Sequence, residues 1–276
     1  GPGALLRTTL MEILGYIGAV VMGLSLGLIG GGGSILTVPI LVYLFSVDTV
    51  LATAYSLFIV GLTSLIGSFS HTRMGNIHWR TAIVFGIPSI LAVYATRAWM
   101  VPAIPDPIIT TATFTVGKPV GILILFALIM VAAAYSMIRK GKPVVAVEGE
   151  VRFNYPLILV EGIVVGAITG IVGAGGGFLI IPALVLLAKL PMKQAVGTSL
   201  IIIAAKSLIG FTGDLKGDTL IDWRFLLLFS AVAAFGILLG SFLSKRIPNE
   251  KLKPAFGWFV LLMGIYIIGR ELSHLS

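Results

Sequence analysis

Ten long apolar runs constrain this chain more than any other feature of its sequence. They cover approximately 12–29, 34–47, 50–70, 81–100, 119–138, 156–172, 178–190, 194–211, 224–243 and 253–270. Most reach the roughly 20 residues that a helix needs to cross hydrocarbon. None alternates apolar and polar side chains as a barrel strand does, and lipid offers the backbone no hydrogen-bond partners, so the runs are expected to be helices. Composition agrees, with 58% hydrophobic residues, 11% charged residues and a mean hydropathy of +1.09. Soluble domains carry roughly 45–50% apolar and 25% charged residues. The expected fold class is an all-α polytopic membrane protein. In such a chain a net charge of +8 marks cytoplasmic loops that face anionic lipid, not nucleic acid. The sequence contains no cysteine, which removes disulfides, thiolate metal sites and cysteine nucleophiles from consideration.

The chain is also duplicated. Sliding it on itself by 143 residues aligns 23–67 with 166–210, with 18 identities in 45 gap-free positions. Gly23, Gly27, Gly30, Gly32, Gly33, Pro39, Ser56, Ser64 and Gly67 fall on Gly166, Gly170, Gly173, Gly175, Gly176, Pro182, Ser199, Ser207 and Gly210. After one inserted residue, His78-Trp79-Arg80 falls on Asp222-Trp223-Arg224. Each copy holds five segments, an odd number, so the second copy is expected to enter the membrane upside down, as in the inverted repeats of secondary transporters. Segments two and seven are only about 13 or 14 residues long, against the roughly 20 needed to cross hydrocarbon. They read as half-helices near the midplane or as tilted short spans.

The expected organisation is therefore a scar and tail over 1–3, a first transmembrane repeat over 4–138, a cytoplasmic linker over 139–155 and a second repeat over 156–276. The linker is placed inside by Arg139, Lys140, Lys142 and Arg152. Lys245, Arg246, Lys251 and Lys253 form another basic loop, and parity brings Arg73 and Arg80 to the same side.

The repeated feature with chemical potential is Gly30-Gly31-Gly32-Gly33-Ser34 through Pro39, and its partner Gly173-Ala174-Gly175-Gly176-Gly177 through Pro182. Runs of small residues break a helix, and Ser34 is a plausible N-cap for the half-helix that follows. A helix N-terminus carries about half a positive charge, and bare glycine lets an anion approach the backbone donors. Gly31, Gly32, Gly33, Ser34, Gly175, Gly176 and Gly177 are thus candidate substrate ligands. Gly23, Gly27, Gly162, Gly166 and Gly170, spaced by four, read instead as helix-packing positions. The runs match neither a P-loop nor a Rossmann turn.

Lys206 lies within an otherwise apolar segment, which makes it a functional candidate, since a charge in the membrane is costly unless it faces a cavity or a partner. Ser199 and Lys206 are seven residues apart, about two helical turns, so both project from one face. Ser56 and Thr63 repeat that spacing in the first copy. The expected cavity is lined by Ser56, Thr63, Ser199 and Lys206 and faces the two glycine breaks. The plainer reading of Lys206 is a snorkelling or ion-paired structural residue. Glu161 is a candidate for carrying a coupled proton or pairing with Lys206, and its plainer reading is an interfacial carboxylate. Arg97 and Trp99 read as interfacial anchors, and the loop histidines His71 and His78 receive no role.

Gly27-Leu28-Ile29-Gly30-Gly31-Gly32-Gly33-Ser34 through Pro39, Ala52-Thr53-Ala54-Tyr55-Ser56, Gly75-Asn76-Ile77-His78-Trp79-Arg80 and the second-half echoes through Gly197-Thr198-Ser199 together resemble the TauE/SafE family of membrane permeases. The resemblance covers nearly the whole chain. It implies a multi-pass transporter of the bacterial inner membrane for sulfite, a sulfonate or a related anion, commonly described as an exporter, with no cofactor. Helix N-termini, hydroxyls and a lone lysine agree on a small oxyanion without choosing among sulfite, sulfate, sulfoacetate and a carboxylate. A membrane enzyme would need a nucleophile, metal cluster or acid–base pair, and neither HExxH nor a histidine cluster occurs. A non-transporting scaffold, or a carrier of another solute, remains the alternative. Glycine-rich faces permit a homodimer without demanding one.

Overall fold

The computed structural model describes residues 2–111, 115–139, 155–186, 188, 190–216, 220–244 and 249–273. The scar residue Gly1, most of the expected linker and the basic pair Lys245 and Arg246 lie outside the described residues. Each apolar run carries a helix. In chain order these are α1 (Pro2–Ile29), a 3-10 turn (Gly31–Leu36) leading into α2 (Thr37–Tyr43), α3 (Thr49–Arg73), α4 (Trp79–Ala95), a π turn (Thr96–Met100) ending in α5 (Val101–Ala103), and α6 (Lys118–Ile138). The second half holds α7 (Tyr155–Val172), α8 (Gly177–Leu186), α9 (Met192–Thr212), α10 (Trp223–Leu243) and α11 (Asn249–Ser273). A two-residue hairpin, β1 (Ile109–Thr110) with β2 (Thr115–Val116), interrupts the connection before α6.

Among the described residues, six helical stretches are long and apolar enough to cross a membrane: Thr9–Ile29, Thr49–Arg73, Trp79–Ala103, Lys118–Ile138, Lys193–Thr212 and Trp223–Leu243. Gly31–Tyr43 and Pro156–Val172 are shorter apolar helices. Large apolar side chains such as Ile83, Ile87 and Leu91 on α4 point outward, exposed by half or more, as a lipid-facing surface requires.

Local signals fix the helix starts. The Asp48 carboxylate accepts from the backbone N–H of Val50 and Leu51 at 2.9 and 3.2 Å. The duplicated pair His78 and Asp222 does the same job twice: the imidazole of His78 accepts from Thr81 N–H at 3.3 Å, and Asp222 accepts from Phe225 N–H at 3.0 Å. His78, given no role from sequence, is thus a helix cap.

Glycines then set which helices touch. A side chain at Gly23 would strike the backbone of Ala233 and Ile237, and one at Gly27 that of Ile237 and Ser241, so α1 runs parallel to α10 in close contact. Gly162, Gly166 and Gly170 place α7 parallel to α4 in the same way, against Phe85, Ser89 and Val93. The duplication carries α1 onto α7 and α10 onto α4, so the two pairs are one interface used twice. These glycines are occupied by contacts inside the chain. Antiparallel to each other, α3 and α9 cross with Gly61 against Leu208 and Gly67 against Leu200. Outside this centre α11 packs antiparallel on α6, with Gly257 at Met137 and Gly264 at Val131. The Tyr43 hydroxyl donates to Glu271 at 2.9 Å, which fastens the end of α2 to α11.

Candidate functional site at the crossing of the glycine breaks

The two glycine runs meet. A Cβ built on Gly31 would lie 1.9 Å from the Cα of Gly177, and one built on Gly177 would lie 2.0 Å from the Cα of Gly31. No side chain fits at either position, so two stretches of bare backbone touch there. Gly30, Gly173, Gly175 and Gly176 hold φ of 79°, 71°, 64° and 69°, a left-handed conformation open to glycine at little cost. These positive angles turn each long helix into its short successor.

Ser34 does not cap a helix. The four glycines continue as a 3-10 turn that begins at Gly31, with Gly30 in the capping position and no side-chain capping bond. Ser34 therefore lies inside the turn, and its hydroxyl donates back to the Gly31 carbonyl at 2.7 Å. Gly31, Gly32, Gly33 and Ser34 are all buried.

Thr63 and Lys206 come level with each other where α3 crosses α9, because Gly61 faces Leu208 and Gly67 faces Leu200 on either side of them. Both residues are completely buried, as are Ser56, Ser199, Ser64 and Ser207. The Lys206 amino group donates to Thr169 Oγ1 on α7 at 2.9 Å. It also abuts the second break, since a Cβ at Gly176 would lie 2.7 Å from Nζ. Gly175 faces Val60, Ile203 and the Cβ of Ser34, which joins the two breaks to the helix crossing. Ser199 donates to the Val196 carbonyl at 2.8 Å. The hydroxyls of Ser56, Thr63, Ser64 and Ser207 are buried without a hydrogen-bond partner among the described residues.

Glu161 stands apart. It is half-buried on α7, eight residues before Thr169 and so about 12 Å from it along the helix axis at 1.5 Å per residue. Among the described residues it forms no ion pair with Lys206.

Arg97 is not an interfacial anchor. Its side chain is fully buried, while its neighbour Trp99 is 63% exposed. The π turn over Thr96–Met100 gives the two residues opposite outlooks. The guanidinium Nε donates to both oxygens of Asp214, at 3.0 and 2.8 Å, and NH2 donates to Oδ1 as well. NH1 donates to Thr53 Oγ1 at 2.9 Å and to the Gly170 carbonyl at 3.1 Å. Four parts of the fold converge on this one side chain: α3, the π turn after α4, the end of α7 and the turn after α9. Burial pushes the Asp214 carboxyl above its ordinary range, against the pull of Arg97.

Sequence reasoning missed Arg97, Asp214, Thr53 and Thr169. The signal for the first two lies in the duplication. Its register puts Arg97 on Ser241 and Asp214 on His71, charge in one copy only, as with Lys206 on Thr63.

Comparison with known proteins decides the family. The family described as "Sulfite exporter TauE/SafE" matches residues 15–267. The chain belongs to the TauE/SafE family. It is thus a multi-pass protein of the cell membrane, from a family of transporters and not of enzymes. Similar members, each named "probable membrane transporter protein", occur in three distant organisms. That of Xylella fastidiosa (strain Temecula1) is 28% identical over 280 residues, covering 97% of this chain and 99% of the relative. That of Methanocaldococcus jannaschii is 27% identical over 277 residues, covering 96% of each. That of Bacillus subtilis, YunE, is 26% identical over 275 residues, covering 92% of this chain and 98% of the relative. No solved structure matches this TauE/SafE chain.

Proposed function

We propose that this protein is a secondary transporter, working as an exporter, of a small anion such as sulfite or an organosulfonate. The anion binds where the two glycine breaks meet at the crossing of α3 and α9. The observation that carries this reading is the completely buried Lys206, which touches the second break and has no carboxylate partner among the described residues. A buried basic group without a counter-charge is costly, and an anionic substrate would offset that cost. Unpartnered hydroxyls at Ser56, Thr63, Ser64 and Ser207 supply further donors of the kind an oxyanion needs, and the backbone at Gly175, Gly176 and Gly177 supplies more.

The two halves act as inverted repeats. The reading is supported by the shared contact register of α1–α10 and α7–α4 and by the antiparallel α3–α9 and α6–α11 pairs, as expected of elements related by a two-fold axis in the membrane plane. Every polar group at the crossing is buried, so the anion enters only when one side parts, and rocking of the repeats exposes the site to each side in turn. The Arg73 and Arg80 loop faces the cytoplasm by the positive-inside rule. Energy comes from an ion gradient, the membrane potential or downhill flow, a charge being worth about 2.3 kcal/mol per 100 mV.

The test is flux of labelled sulfite into proteoliposomes, with and without a pH gradient, competed by sulfate, sulfoacetate and acetate. Saturable, protein-dependent flux is the expected result. If none of these anions moves or competes, the reading is wrong and a scaffold or a carrier of another solute takes its place.

A further inference from the structure

We infer that the Arg97 guanidinium is a second anion site, at the end of the path away from the Arg73–Arg80 loop, and that Asp214 is its built-in occupant. The carboxylate closes that end by holding the guanidinium fork, and a small sulfonate, sulfite or carboxylate opens it by taking Asp214's place. This inference rests on the anion-transport reading above and adds the group that controls access.

The position follows from the run of the helices. The first turns of α9 lie against Asn76 and His71, in the Arg73–Arg80 region, through Gly197. Asp214 follows the other end of the same helix, so its contact with Arg97 lies at the opposite mouth. The guanidinium itself is fixed from behind. Its NH1 is held by Thr53 on α3 and by the Gly170 carbonyl on α7, while Nε and NH2, one edge of the fork, are left for Asp214. Asp214 belongs to a short turn, Asp214–Lys216, and its side chain is 14% exposed while that of Arg97 is 0% exposed. Solvent therefore reaches Asp214, which stands between it and the fork.

The chemistry selects the ligand class. A guanidinium edge matches two oxygens on one central atom, and sulfonates, sulfite and carboxylates all present that edge, as Asp214 does. Chloride does not. Withdrawing Asp214 with nothing in exchange would leave a buried guanidinium unpaired, which strongly opposes opening. Replacing one carboxylate-like edge by another leaves the charge balanced, so the mouth parts when substrate is present and stays shut when it is not. The duplicated positions on the other side, Ser241 and His71, contain no such pair, and their polar side-chain atoms are buried without partners among the described residues. Among the described residues the device is confined to one end.

The test is equilibrium binding of labelled sulfite to the purified full-length protein, with chloride as competitor. Asp214→Asn frees the fork and is expected to bind sulfite at least ten times more tightly than wild type, with chloride competing poorly. Arg97→Gln/Asp214→Asn is expected to lose that gain. Equal affinity in wild type and Asp214→Asn, or a gain that survives loss of Arg97, overturns the inference. The neutral double variant leaves no unpaired charge and serves where Asp214→Asn alone does not fold. In this cysteine-free chain, a cysteine at Ser56, one turn below Thr53, is labelled in whole cells with a membrane-impermeant thiol reagent. The double variant is expected to react at least ten times faster than Ser56→Cys alone, and an unchanged rate overturns the closure. A wild type that carries sulfite but shows neither effect refutes this inference alone, whereas a wild type that carries none of the tested anions refutes the transport reading.

Discussion

The two ends of α3 and α9 occupy equivalent positions in a duplicated fold, yet they are built differently. At one end Asp214, Thr53 and the Gly170 carbonyl form a hydrogen-bonded cluster around the buried Arg97 guanidinium. At the other, the matching positions hold Ser241, His71, Val196 and Gly27. There both ring nitrogens of His71 and the hydroxyl of Ser241 lack hydrogen-bond partners among the described residues. Duplication conserves the glycine contacts, while the charged pair sits at one end only, with Arg97 from the first copy and Asp214 from the second. A symmetric scaffold can thus carry an asymmetric transport cycle.

The sharpest break in this comparison comes from removing one polar group at each end. Asp214→Ala strands a buried guanidinium and is expected to cost about 3–5 kcal/mol. His71→Leu removes donors and acceptors that have no partner and is expected to shift stability by less than about 1 kcal/mol. Denaturation of both variants in detergent checks this, and equal losses would erase the distinction between the ends.

A smaller difference is expected at the breaks themselves. A methyl at Gly173 would meet the Thr53 carbonyl oxygen at 2.4 Å and its Cα at 2.5 Å, both backbone. At Gly30 it would meet the tips of Ile181 and Val196 at 2.8 and 3.1 Å, and these can yield. Both residues have positive φ, so each variant also carries backbone strain. Gly173→Ala should therefore be less stable than Gly30→Ala by about 1–3 kcal/mol, the usual cost of overpacking, as the difference in melting behaviour would show.

The smallest effect is in pH. Burial raises the Asp214 carboxyl, so it takes up a proton at a higher pH than an exposed aspartate does. The ion pair holds above that pKa and loosens as pH falls through it. Measured relative to a freely exposed cysteine, whose own labelling slows as its thiolate is lost, labelling of Ser56→Cys should speed up a fewfold as pH falls through that pKa, and Asp214→Asn should abolish the difference.

Much of this was legible in the sequence because hydrophobic length and glycine runs act locally. The helices, the short second and eighth helices and the register between copies all follow from spacing along the chain. Arg97 does not, because the π turn that rotates it inward while leaving Trp99 outside depends on packing against α7 and on a carboxylate 117 residues away. Ser34 was misread for a related reason: the glycines, expected to stay open, closed into a 3-10 turn and enclosed it. Lys206 was found because a lysine in an apolar run is anomalous by composition, but its contact with Thr169 needed the fold.

The central claim is that Lys206 holds the anion at the crossing. Lys206→Thr makes this position identical to Thr63, its counterpart on α3, and so removes the charge that distinguishes them. Sulfite flux in proteoliposomes should then show a half-saturating concentration raised about 10- to 100-fold, as expected for losing a charged hydrogen bond of about 1.5–3 kcal/mol. An unchanged half-saturating concentration in a folded Lys206→Thr protein would contradict the account.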